Sequence, residues 1–205
     1  GGAALVRGEV LPYLKEKYSV PFGSAYVRAC GVPKDLLRKV LEEAKAAAGA
    51  VEFNTEEKDG DFRIEILYSD APKTQVDEAQ RIITGGLNEY VYAIDDTPLN
   101  RRVYELLKLR GQKLSIAESF TGGGVASSLI EIPGVSEVLF ESIVAYENAS
   151  KRKRLGVLAG TLEEQGAVSD ETAYEMAAGL LATGECSVVL STTGIAGPAS
   201  DLSLI

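Results

Sequence analysis

The chain has 205 residues, 45% of them hydrophobic and 25% charged, which suits one large or two small globular domains and calls for no disordered class. A net charge of −9 excludes a general affinity for nucleic acid or anionic membrane, because phosphate neutralisation needs clustered Lys and Arg. The complete lack of His removes Ser-His-Asp and Cys-His catalysis and the usual zinc sites, so a hydrolase built on this chain must find another base.

Cys30 and Cys186 lie far apart with no metal-ligand spacing and read as small buried hydrophobes of a reducing compartment. No apolar run approaches bilayer length, and Arg7, Glu9 and Lys15 interrupt any signal-like segment, so a cytoplasmic protein with no membrane partner is expected.

Residues 1–23 read as the tail of an upstream domain and a linker, with a short amphipathic helix near 9–18 and a break at Pro21. A strand at 24–29 follows. Pro33 opens a helix whose apolar face is Leu36, Leu37, Val40, Leu41, Ala44 and Ala48. Strands at 51–54 and 62–68 form a hairpin about Asp59-Gly60, a helix runs over 72–88, and a strand occupies 90–94. The order βαββαβ predicts a small α+β domain over 24–96. Asp95-Asp96 reads as a charged linker before a helix N-terminus rather than a divalent-ion site.

Residues 97–205 alternate differently. Thr97 and Pro98 start a helix with Leu99, Val103, Leu106 and Leu107 on its face; Leu114, Ile116 and Ala117 make a strand; three glycines then lead into a helix carrying Val125, Ala126, Leu129 and Ile130. Residues 138–140 suggest a short helix, 142–146 a strand, Asn148 a helix start, Thr161 to Glu164 a capping box, and Ser169 the opening of a further helix. A strand at 187–190 ends in a Ser/Thr/Gly-rich segment. Strands alternating with helices predict an α/β domain with a largely parallel sheet, whose ligands bind at strand ends.

Ser119, Tyr146 and Lys151 all fall at or just after predicted strand ends, and so could converge on one rim. Serine needs a neighbour to take its proton; without imidazole, a lysine kept neutral by desolvation, or a tyrosine bridging to it, is available. Backbone N–H groups near Gly122 and Gly123 would supply an oxyanion hole or a phosphate cradle. The competing bland reading takes Lys151 as the first residue of a solvated Lys-Arg-Lys-Arg face and Tyr146 as a half-buried strand residue.

Four ordered motifs, AESFTGG at 117–123, YENASK at 146–151, GAVS at 166–169 and TGIAGP at 193–198, together resemble the CinA C-terminal domain, the PncC-type nicotinamide mononucleotide (NMN) deamidase family. The preceding block resembles the KH-like middle domain of full-length CinA proteins, and residues 9–18 resemble the tail of their N-terminal domain. The resemblance implies hydrolysis of NMN to nicotinate mononucleotide and ammonia, with Ser119 as nucleophile, Lys151 and Tyr146 as its activators, and neither metal nor cofactor. Glu118, Thr121, Gly122, Gly123, Asn148, Ser169, Thr193 and Gly194 would then bind substrate, and a homodimer is expected. Phe120 departs from the small residue or cysteine usual there, and both ends look truncated against full-length relatives.

Two other function classes stand beside this one. A non-catalytic nucleotide-binding or scaffold protein would use the same glycine turn for phosphate alone. An RNA-binding module is disfavoured in the 24–97 block by its excess of Asp and Glu over Lys and Arg and its lack of a GxxG clamp.

Overall fold

The computed structural model describes residue 13, residues 22–69 and residues 72–195. The helix expected near 9–18, Tyr13 apart, and the end of the TGIAGP motif lie outside the described residues. The chain divides into two compact units, Gly1–Leu99 and Asn100–Ile205.

In the first unit the strands are β1 (Phe22–Cys30), β2 (Val51–Lys58), β3 (Asp61–Ser69) and β4 (Val91–Ala93), with helices α1 (Lys34–Ala48) and α2 (Lys73–Leu87). The sheet is wholly antiparallel, in the order β2-β3-β1-β4. Alternation puts Val27, Ala29, Phe62, Ile64 and Ile66 on one face, where they meet Leu37, Val40 and Ala44 of α1 and Val76, Ala79 and Ile83 of α2. Strand β2 runs four residues beyond the expected Asn54. Ladder pairing carries that extension, from Val51 opposite Tyr68 to Lys58 opposite Asp61, and the turn residues Asp59 and Gly60 both take positive φ, as a two-residue hairpin requires.

Asp95-Asp96 lies in the irregular stretch after β4, and both carboxylates are engaged there. The Asp95 carboxylate accepts from the Thr97 N–H at 2.9 Å. That of Asp96 accepts from Arg63 Nε at 2.8 Å and Arg28 Nη2 at 2.9 Å, tying the end of the sheet to two neighbouring strands.

The second unit is α3 (Leu99–Leu109), β5 (Leu114–Glu118), α4 (Gly124–Ile130), β6 (Leu139–Val144), α5 (Asn148–Leu155), α6 (Ala159–Glu164), α7 (Asp170–Leu181) and β7 (Val188–Ser191). Its sheet is parallel in the order β6-β5-β7, so β5 is central and buried along its whole length. One face of β5, through Leu114 and Ile116, packs on Tyr104 and Leu107 of α3 and Leu129 of α4. The other, through Ala117, packs on Leu155 of α5 and Met176 and Leu180 of α7. Three layers result, helices on both faces of a parallel sheet.

Three expectations for this unit need correction. Residues 138–140 are not helical: a 3-10 turn (Val135–Glu137) precedes β6, which starts at Leu139 because Leu114 N–H donates to the Val138 carbonyl at 2.7 Å and opens the ladder there. In α3 the buried positions are Tyr104 and Leu107, while Leu99 and Leu106 are exposed. The Tyr104 ring can be buried because its hydroxyl still reaches Lys108 at 3.2 Å. Thr161 is inside α6 rather than capping it, and its hydroxyl donates to Glu175 Oε1 at 2.7 Å. The other oxygen of Glu175 takes the Leu158 N–H at the start of α6, so α7 supplies the cap.

Candidate active site

Successive strand residues point to opposite faces, so Glu118 and Ser119, adjacent at the end of β5, separate onto different sides of the sheet. Glu118 turns toward α4. It is fully buried, and its carboxylate accepts from the N–H groups of Gly123 (2.9 Å), Val125 (3.1 Å) and Ala126 (3.0 Å) and from the Ser142 hydroxyl of β6 (3.2 Å). Burial pushes its pKa up, but the Ala126 N–H, the Thr121 hydroxyl, the Val125 N–H and the Ser142 hydroxyl outweigh it and hold the carboxylate below its ordinary range. It is therefore the anionic cap of α4, set at the positive end of the helix.

This use of the turn overturns one expectation. The Gly123 N–H is taken by Glu118, the Gly122 N–H by the Ser119 carbonyl at 3.1 Å and the Gly124 N–H by the Thr121 carbonyl at 2.8 Å. The glycine turn consequently offers no free nest for phosphate or oxyanion at those residues. The N–H groups of Phe120 and Thr121, immediately after Ser119, are the ones with no partner among the described residues.

Ser119 faces α5, with only 5% of its surface exposed. Lys151, one turn before Leu155 on the inner side of that helix, is 1% exposed, whereas Arg152, Lys153 and Arg154 are solvated. The bland reading of the basic run thus holds for three of its four residues. Lys151 Nζ lies 3.0 Å from Ser119 Oγ, 3.0 Å from the Ala145 carbonyl and 2.7 Å from the Tyr146 carbonyl. Burial lowers the Lys151 pKa below its ordinary value of 10.5, with Glu147 pulling the other way. With two N–H groups held by the two carbonyls, a neutral amine has its lone pair left for the Ser119 hydroxyl. A serine hydroxyl and a neutral amine in contact have the arrangement that a nucleophile and its base require.

The other predicted residues divide into those near this pair and those apart from it. Tyr146 contributes its carbonyl; its side chain is 61% exposed, and the hydroxyl makes no hydrogen bond among the described residues. Asn148 is exposed at the start of α5. Ser169 caps α7, accepting from Thr172 N–H at 3.2 Å and donating to the Gly166 carbonyl at 3.2 Å, while the Thr193 hydroxyl donates to the Ala167 carbonyl. Gly194 lies against the Phe120 ring. Thr192 is the residue sequence reasoning missed: its hydroxyl lies 2.7 Å from that of Thr121 and accepts from the Ser119 N–H at 3.4 Å. Its signal was a run of three hydroxyl residues, 191–193, at the end of a central-sheet strand. A cleft of about 400 Å³ opens here, walled by Phe120, Val168, Asp170, Ala173 and Thr193.

A serine at the end of a central parallel strand, contacted by a buried lysine from the next strand-to-helix turn, defines a parallel α/β unit with a Ser-Lys pair and no imidazole. The family model of the CinA C-terminal domain matches residues 96–203. The chain belongs to the CinA family. It is similar to the CinA-like protein of Kosmotoga olearia, 35% identical over 193 residues that cover 92% of this chain and 47% of that protein. The CinA-like protein of Fusobacterium nucleatum is 51% identical over 114 residues, covering 55% of this chain and 27% of the relative. A solved structure of the competence/damage inducible protein CihA from Agrobacterium tumefaciens aligns with 52% of this chain and 64% of its own, at 42% identity and a TM-score of 0.49. The chain spans about half the length of the first of these curated relatives. Among the described residues no helix is long and apolar enough to cross a membrane, and no group of acidic or Cys side chains could hold a metal ion.

Proposed function

We propose that the chain is an amidohydrolase that deamidates nicotinamide mononucleotide, with Ser119 as nucleophile and Lys151 as its general base. The observation that carries this reading is the 3.0 Å contact between two buried groups, one of them an amine whose charged form burial disfavours. Lys151 takes the Ser119 proton as Oγ bonds to the carboxamide carbon. The carbon–nitrogen bond then breaks, and the Lys151 ammonium returns the proton to departing ammonia. Water, deprotonated by the same amine, attacks the resulting ester and releases nicotinate mononucleotide and free Ser119. The N–H groups of Phe120 and Thr121 are the available donors for the oxyanion. Tyr146 acts through its carbonyl, which orients the amine.

The alternative, a scaffold that merely holds nucleotide phosphate on the glycine turn, loses its main support because Glu118 and the turn carbonyls use those donors. Ammonia release from NMN tests the proposal. Turnover that disappears in Ser119→Ala supports it, and undiminished turnover in that variant overturns it.

A further inference from the structure

The cleft between Phe120, the residue after Ser119, and residues 191–193 has few groups left to recognise anything. The hydroxyl of Ser191 donates to the Ala173 carbonyl at 2.7 Å, those of Ser169 and Thr193 go to the carbonyls of Gly166 and Ala167, and Thr192 is paired with Thr121. Two features remain. The Phe120 ring is 41% exposed and lines the cleft. The Asp170 carboxylate, exposed on the same wall, makes no hydrogen bond or ion pair among the described residues. The ring also rests on the Gly194 backbone: a Cβ at position 194 would lie 3.0 Å from its Cδ1, so glycine there lets the ring approach closely without being displaced.

We propose that Phe120 is a specificity-determining residue whose ring is the stacking face for a flat, cationic heteroaromatic ring of the substrate, with Asp170 adding its charge at the rim. An aromatic face attracts a cation through its quadrupole, a carboxylate reinforces that preference, and a substrate ring seated there leaves its carboxamide next to the following-residue N–H groups and Ser119. This placement rests on the amidase reading for its orientation, but the binding it asserts does not require turnover.

The chain has no Trp, so Phe120→Trp introduces a unique fluorophore at the cleft. In a Ser119→Ala background, which keeps ligand intact, the probes are NMN, 1-methylnicotinamide and ribose 5-phosphate. Saturable quenching by the two pyridinium compounds and none by ribose 5-phosphate is expected. Absence of quenching by both pyridinium compounds, or equal quenching by ribose 5-phosphate, overturns the assignment. In parallel, NMN binding measured calorimetrically is expected to weaken roughly tenfold in Phe120→Ala and to be retained in Phe120→Tyr. An unchanged affinity in Phe120→Ala also overturns it. Failure of the amidase reading would show separately, as quenching by pyridinium with no ammonia released by the unmodified protein.

Discussion

Three acceptors surround the Lys151 amine, and the charge it carries decides what it can do. As an ammonium it would satisfy Ser119 and both carbonyls at once; as a free amine it keeps the two carbonyls and turns its lone pair to the serine. Burial favours the second form by moving its pKa below 10.5. The turnover rate is therefore expected to rise with pH through an inflection below 10.5, measured as kcat/KM across the alkaline range. Stability has the same sign: the unfolded chain binds the extra proton between the lowered pKa and 10.5, so folding becomes more favourable as pH rises through that window. Replacing Lys151 with Met keeps an unbranched stem of nearly the same length and removes the amine; turnover should fall by roughly 10²- to 10⁴-fold while the variant still melts cooperatively. The meeting of Ser119 and Lys151 was legible, because both fall just after strand ends in a chain whose lack of His leaves few partners for serine. The Tyr146 contact was not: it is the carbonyl that meets the Lys151 amine, and a backbone group leaves no trace in side-chain chemistry.

At the scale of elements, two close fits hold the pair in register. The first is the Glu118 carboxylate, which binds the first turn of α4 and reaches β6 through Ser142. In Glu118→Gln an amide NH₂ must face backbone N–H donors, and a loss of about 2–3 kcal/mol in denaturant unfolding is expected. Because its folded pKa is depressed, the stability it adds is present above the ordinary 4.5 and is lost as pH falls through the lower folded value. The second fit is between α5 and α7. A Cβ on Gly179 would sit 1.8 Å from the Leu155 carbonyl oxygen, so these helices meet backbone to backbone and nothing larger than glycine is accommodated. Gly179→Ala should cost about 3 kcal/mol, read from the denaturation midpoint, and should reduce turnover because α5 also carries Lys151. The strand–turn–helix order around Ser119 was legible from a short apolar run followed by glycines. The destination of Glu118 was not: its contacts run to positions five, seven and eight residues onward, and only the built turn shows that it consumes the donors an oxyanion was expected to use.

Over the whole molecule, two units with different sheets divide the chain, one antiparallel and one parallel, and sequence periodicity distinguished them. Alternating apolar residues in β3 and continuous burial in β5 are different patterns with different causes: one sheet face covered in the first case, two in the second. The starting point of β6 escaped prediction because a few apolar residues, 138–140, suit helix and strand alike until their partner strand is known. Charge also acts at this scale. With a net charge of −9, the chain is expected to show no retention of single-stranded RNA in a filter-binding assay at moderate salt; salt-sensitive retention would contradict the reading of its surface. The most direct test of the account is the intact mass of the protein quenched in acid during turnover of NMN. The account predicts a nicotinoyl-mononucleotide ester that peptide mapping assigns to Ser119 and that is absent in the Lys151→Met variant; an adduct on any other residue, or equal adduct in that variant, would contradict it.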